Sequence, residues 1–270
     1  MSVVPGFTSA GGPWLATASL VAVLSYAAAV LRPRPGWGGP ALLTAWLAQA
    51  VALLVHALGL GLSDPGMRFG FAPALSLTVW LVIAVYAVES RVLPLPTLRR
   101  GLAGLGVLSV LLAWGVPGDL RPGLSSPWAP LHWLTGLVAY SLFAIAVLHG
   151  MLTRRAERAL RRHAGPASVG GLPLLRLEKL TFHFVAAGFA LLTLTLVFGL
   201  VFTAWRWDHK TIFSMLAWAV FAGLLIGRHT LGWRGRIALR WLHGGALLLL
   251  LAYAGSRFVS EVLLHRAAGA

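Results

Sequence analysis

An all-α, polytopic membrane helix bundle with about eight transmembrane helices is the fold this sequence predicts, on three observations. Apolar runs of about twenty residues, each long enough to cross a hydrocarbon core of roughly 30 Å, recur along the whole chain. Only 11% of the 270 residues are charged and 58% are hydrophobic, with a mean hydropathy of +0.81; a soluble domain carries about a quarter charged residues. The runs are also apolar all round, without the alternating segments of about ten residues that a membrane β-barrel requires. Strands are therefore not expected, and helices, which satisfy their own backbone in lipid, are the remaining solution.

The spans follow in order. The first, at 13–31, comes after a segment with no charged side chain, and Arg32 and Arg34 follow it. A cleaved signal peptide has the reverse order, so a retained helix with an external N-terminus is expected. The second, 40–62, lies between Arg-Pro-Arg-Pro-Gly at 32–36 and Ser-Asp-Pro-Gly at 63–66, both turn-forming. The third, 71–89, ends on Glu89, expected to snorkel toward the interface near Arg91. The fourth, 101–116, opens with Gly101, Gly104 and Gly106, which suit close helix packing, and stops at Pro-Gly-Asp, 117–119. The fifth, 130–152, leads into the longest polar stretch, a basic cytoplasmic loop at 153–177. The core of that loop, Arg154 to His163, reads either as a solvated connector or as a short basic helix on anionic lipid. Spans at 179–203, 211–227 and 238–263 complete a single transmembrane domain over 1–270, with Glu178 and Lys179 in a structural role ahead of the sixth.

Net charge is +15, with seven acidic residues. Basic residues concentrate in alternate loops: sixteen follow the first, third, fifth and seventh spans, and six occupy the other loops and the tails. The positive-inside rule then places both termini outside and explains the charge as topology rather than nucleic-acid binding. There are no cysteines, which excludes disulfides and thiolate chemistry.

Polar groups inside a membrane are costly and mark candidate sites. The chain has nine histidines, placed at two levels: His56, His132, His209 and His265 toward the outside, and His149, His183, His229 and His243 toward the inside, with His163 in the loop. A neutral imidazole makes either an interhelical hydrogen bond or a bond to iron, and two on facing helices can hold a haem. Carboxylates are nearly absent at either level, which argues against a carboxylate metal site or proton relay. Trp205-Arg206-Trp207-Asp208-His209-Lys210 reads as an interfacial aromatic belt or as a platform for a planar anionic ligand.

That segment, followed by a span and by His229-Thr-Leu-Gly-Trp-Arg-Gly-Arg236, resembles the cytochrome c assembly membrane proteins of the CcsA, ResC and CcmC type. The family's mark is an external Trp-rich segment ending Trp-x-Trp-Asp-Pro-Lys, then a span, a His and a Gly-Trp-Arg-Gly run. His183-Phe, the run Leu191 to Gly199, His132 with Tyr140, and Tyr253-Ala-Gly-Ser extend the likeness over roughly residues 40–263. Length and the position of His183 are most similar to the YpjD and HemX subgroup. The resemblance implies a b-type, non-covalent haem held by His132, His229, His183 and His56, with His265 placed where synthase-type members carry a second external histidine. Trp205, Trp207 and Asp208 would lie beside it. The segment here departs from the family: the upstream Trp-Gly is missing, His209 stands at the Pro position and Thr211 at the Glu position.

The expectation is a non-enzymatic, haem-binding or haem-translocating protein of a bacterial inner membrane. Its partners would be lipid, haem, and other cytochrome c biogenesis or membrane transport subunits, and it would not be a complete cytochrome c synthase by itself. A transporter for another small substrate, with histidines as proton sites, and a structural or regulatory subunit with a degenerate haem site are the alternatives.

Overall fold

The computed structural model describes residues 12–31, 38–60, 67–90, 96–116, 119–121, 128–161, 168–169, 172–202 and 207–252. The chain divides into two compact units, one of residues 1–90, 95–124 and 257–270, the other of 91–94 and 125–256.

The first unit holds α1 (Gly12–Leu31), α2 (Gly38–Leu58), α3 (Phe71–Glu89) and α4 (Pro96–Gly115). Helix α2 stops where Gly59 adopts φ +63°. The Leu60 amide donates back to the Val55 carbonyl at 3.1 Å, a glycine-dependent termination that a Cβ would oppose. Pro96 opens α4, where its missing N–H costs nothing. Helix α1 packs on α2 and α4, and α3 on α4. The first unit also contains a brief antiparallel pair, β1 (Met67–Phe69) with β2 (Asp119–Arg121).

Apart from small apolar contacts, what ties these helices together is polar. Gln49 is fully buried. Its Oε1 accepts from the Tyr26 hydroxyl, and its Nε2 donates to the Ser76 carbonyl at 3.1 Å, the Ser76 hydroxyl at 2.9 Å and the Ser109 hydroxyl at 3.4 Å. One side chain on α2 thus engages all three of its neighbours. Trp46 and Trp80 stack at 4.5 Å and 7°, and each indole N–H donates to the other residue's carbonyl. Of the three glycines expected to permit close packing, Gly106 does so, facing the Tyr26 ring; Gly101 and Gly104 meet open space.

The second unit holds α5 (Ala129–Arg161), α6 (Leu174–Phe202), α7 (His209–Thr230) and α8 (Gly235–Leu250), with a short hairpin, β3 (Ser168–Val169) and β4 (Leu172–Pro173). Helices α5 and α6 pair along their lengths, α8 packs on α5 and α7, and α7 also meets α6. The core is aromatic and aliphatic: Phe143 and Phe221 stack at 3.8 Å, surrounded by Val185, Leu192, Leu224, Leu242 and Leu249. Glycines admit the large rings, Gly188 against Phe143 and Gly245 against Phe221.

Seven of the eight helices are long and apolar enough to cross a membrane, and α8 has 16 residues within the described range. Leucine, valine, isoleucine and tryptophan side chains are exposed along most of them, an outer surface suited to lipid. The protein is a polytopic helical membrane bundle, as expected. Two details differ from the sequence reading. Strands do occur, as two- and three-residue ladders in the connections. The segment from Arg154 to Arg161 is neither a connector nor a separate helix; it continues α5 without a break. Its Arg, Ala, Leu and Glu residues are good helix formers, and no Gly or Pro intervenes before Gly165.

Helix α7 begins at Asp208, whose Oδ1 accepts from the Thr211 amide at 2.8 Å. Slight burial raises the Asp208 pKa, but the hydrogen bonds from Thr211 and the charges of Lys210 and His209 outweigh it and hold the carboxyl below the usual carboxylate range. A depressed native pKa gives stability that is complete above the unfolded-state value and disappears as pH falls through the native one. Asp208→Ala is expected to cost about 1 kcal/mol at neutral pH. In detergent melts, the gap between the two proteins should close as the pH is lowered through roughly 4 to 2.

Candidate functional site

The most developed polar constellation in the second unit surrounds His132, one turn into α5. Its Nδ1 lies 2.9 Å from the Thr195 carbonyl of α6. A carbonyl only accepts, so Nδ1 carries the proton and Nε2 presents a lone pair. Gly199, one turn further along α6, makes room for the imidazole: a Cβ there would lie 3.3 Å from His132 Cε1. The Thr195 and Thr135 hydroxyls, 3.0 Å apart, bind the same helix pair just below. Around this end lie an aromatic group, with Trp128 stacked on Phe202 at 5.2 Å and Phe198 beside Phe202, and the ammonium of Lys210, within electrostatic range of His132.

Trp207, at 72% relative exposure, and Asp208, also exposed, directly precede α7. Trp205 and His265 lie outside the described residues, so the aromatic platform is described only through Trp207. His183 is exposed on α6, and His229 is exposed in the last turn of α7. His149 is buried and meets Phe184 edge-on at 5.3 Å. His243 is bonded through Nδ1 to the Leu239 carbonyl of its own helix. Among the described residues, no three His, Asp or Glu side chains converge as metal donors.

His56 is in the first unit, 7% exposed, in a cavity lined also by Ser19, Gln49, Ser76 and Trp114. That cavity measures about 20 Å³, which holds one water molecule and no macrocycle. His132 differs: the fixed tautomer, the free Nε2, the aromatic neighbours and the nearby cation suit an axial ligand to a planar, anionic haem.

The opposite end of the second unit centres on Glu178, whose Oε1 lies 2.7 Å from Arg228 Nη1 and 3.9 Å from Arg234 Nε. Arg228 also donates to the Trp233 carbonyl at 3.2 Å, and its guanidinium sits 4.4 Å above the Phe182 ring. The Trp233 ring packs on Gly227, where a Cβ would collide with it, and tilts against Trp241. This cluster fixes the four-residue turn between α7 and α8 directly after His229.

Sequence reasoning found His132 but neither Thr195 and Gly199 nor the pairing of Glu178 with Arg228. The available signals were the four-residue spacing of Thr195 and Gly199, which places them on one face of α6, and the rarity of acids.

A family model described as cytochrome C assembly protein matches residues 36–264. The inner membrane protein YpjD of Escherichia coli K12 is 27% identical over 269 residues, covering 91% of this chain and 98% of the relative. Two CcsA cytochrome c biogenesis proteins of Prochlorococcus marinus are similar over shorter stretches. That of strain AS9601 is 27% identical over 52% of this chain and 54% of its own length; that of strain SARG is 22% identical over 69% and 71%. No solved structure matches the chain.

Proposed function

Given that the chain belongs to the cytochrome c assembly protein family, we propose that it is a haem-handling protein of a bacterial inner membrane, serving cytochrome c biogenesis, with His132 as an axial ligand. The membership supports the biogenesis role, and the name of the Escherichia coli relative supports the location. The observation that carries the ligand assignment is the His132 Nδ1 bond to the Thr195 carbonyl, which leaves Nε2 free.

In this reading Thr195 holds the ring's tautomer and direction, and Gly199 gives the ring its space. Trp207 offers an apolar face to a macrocycle, and Lys210 pairs with a propionate. His183 and His229 are proposed as the haem contacts nearer the basic end, with His56, His265, Trp205 and Asp208 as further candidates. Haem supplies the redox chemistry, while the chain sets ligation and orientation.

The test is the reduced-minus-oxidised spectrum of the protein purified in detergent and titrated with haem. A saturable haem spectrum is expected, lost or weakened at least about tenfold in His132→Ala, on the scale by which lost metal-site partners weaken binding. Gly199→Leu should shift the spectrum by displacing the imidazole. A wild-type protein with no saturable haem signal, or a His132→Ala spectrum identical to wild type, refutes the assignment.

A further inference from the structure

The exposed face of α8 has a polarity profile that neither the haem reading nor the core packing uses. Arg236, Arg240, Gly244, Leu247 and Leu251 follow one another at spacings of three and four residues, so they share one stripe, and all five are exposed. Two guanidiniums one turn apart come first. A glycine follows, at which a Cβ would find open space, so the stripe carries a notch. Two leucines complete it. The opposite face of α8 is buried through Ala238, Leu239, Leu242, Gly245 and Leu249.

Neither arginine is paired. The only described carboxylates at this end are Glu157 and Glu178, and Glu178 is held by Arg228. Ten described cations occupy the same ends of α5 to α8: Arg154, Arg155, Arg158 and Arg161; Arg176 and Lys179; Arg228; and Arg234, Arg236 and Arg240. The local excess of positive charge demands an anionic partner. The apolar track running from Arg240 into the span requires that this partner carry an acyl chain.

We propose that the Arg236–Arg240–Gly244–Leu247 face of α8 is a binding site for one anionic phospholipid, the phosphate held between the two guanidiniums and an acyl chain laid over Gly244 and Leu247. Arginine pairs well with phosphate through two parallel N–H donors, and basic pockets at helix ends recognise anionic headgroups. Free phosphate shares the headgroup chemistry but leaves the notch and leucines bare. The site does not depend on haem, so it stands or falls separately from the preceding assignment.

The experiment uses the full chain, delipidated in detergent, titrated with phosphatidylglycerol or phosphatidylcholine and read by native mass spectrometry. A saturable single-lipid adduct is expected with phosphatidylglycerol and not with phosphatidylcholine. Arg236→Gln with Arg240→Gln should weaken it about twenty-five-fold, roughly fivefold per guanidinium. Arg154→Gln with Arg155→Gln, which removes equal charge from α5, should leave it within about twofold, less than the loss of one headgroup contact. Gly244→Leu fills the notch without changing charge and should also weaken the adduct, with unchanged elution and melting showing that the variants fold. Equal losses from both arginine pairs, or equal binding of phosphatidylcholine, overturn the proposal. Displacement of the lipid by inorganic phosphate at matching concentration overturns it in favour of a simple anion site.

Discussion

Gln49→Leu is expected to destabilise the α1–α4 unit by about 3 kcal/mol, although leucine is the more lipid-compatible residue. The substitution removes three donor contacts and one acceptor from a fully buried position. Interhelical hydrogen bonds in membranes average about 0.6 kcal/mol, because the unfolded chain in lipid finds other partners. The bonds lost therefore account for roughly half of the effect. The remainder comes from the Tyr26 hydroxyl, left buried with no acceptor, for which about 1–3 kcal/mol is typical. The check is equilibrium unfolding in detergent with a rising fraction of denaturing surfactant. Tyr26→Phe combined with Gln49→Leu should recover at least about 1 kcal/mol relative to the sum of the two single changes, because both ends of the orphaned bond are then apolar. Strict additivity would show that the two side chains do not interact.

Glu178→Ala should cost the second unit about 2–3 kcal/mol. Glu178 and Arg228 are each only about one-fifth exposed, and removing the carboxylate leaves the guanidinium with the Trp233 carbonyl and the Phe182 face alone. Breaking a fully buried pair costs about 3–5 kcal/mol, and partial exposure here reduces that. The second change Arg228→Met, made in the Glu178→Ala background, should restore most of the loss by eliminating the unpaired charge. Because Arg228 braces the turn containing Trp233, tryptophan emission should shift to the red in Glu178→Ala and return in the double variant. An unchanged spectrum together with an unchanged unfolding midpoint would mean that the pair does not hold the turn.

The helices were readable in the chain because lipid imposes one coarse requirement, about twenty apolar residues per crossing, and each of the eight runs meets it. Their ends were less readable. Helix α5 runs to Arg161 because helix propensity does not stop where hydropathy does. His132 stood out as a polar residue in an apolar run, but the Thr195 carbonyl that orients it has no side-chain signature at all. Gln49 passed unnoticed: a lone amide in a leucine-rich span carries no motif, and its importance comes from the three helices that meet it. Glu178 was placed correctly beside the sixth span, yet its partner lies fifty residues away, a pairing that only the packing of α6 on α7 creates.

The unbroken course of α5 has a mechanical consequence. At 33 residues the helix is about 50 Å long, some 20 Å more than the oily layer it crosses. His132 and Arg161 are therefore near the two tips of one stiff rod with no joint between them. Tilting that rod by about 10° around its middle would swing each tip roughly 4 Å in opposite directions. Whatever seizes the arginine-bearing tip also steers the imidazole at the far one.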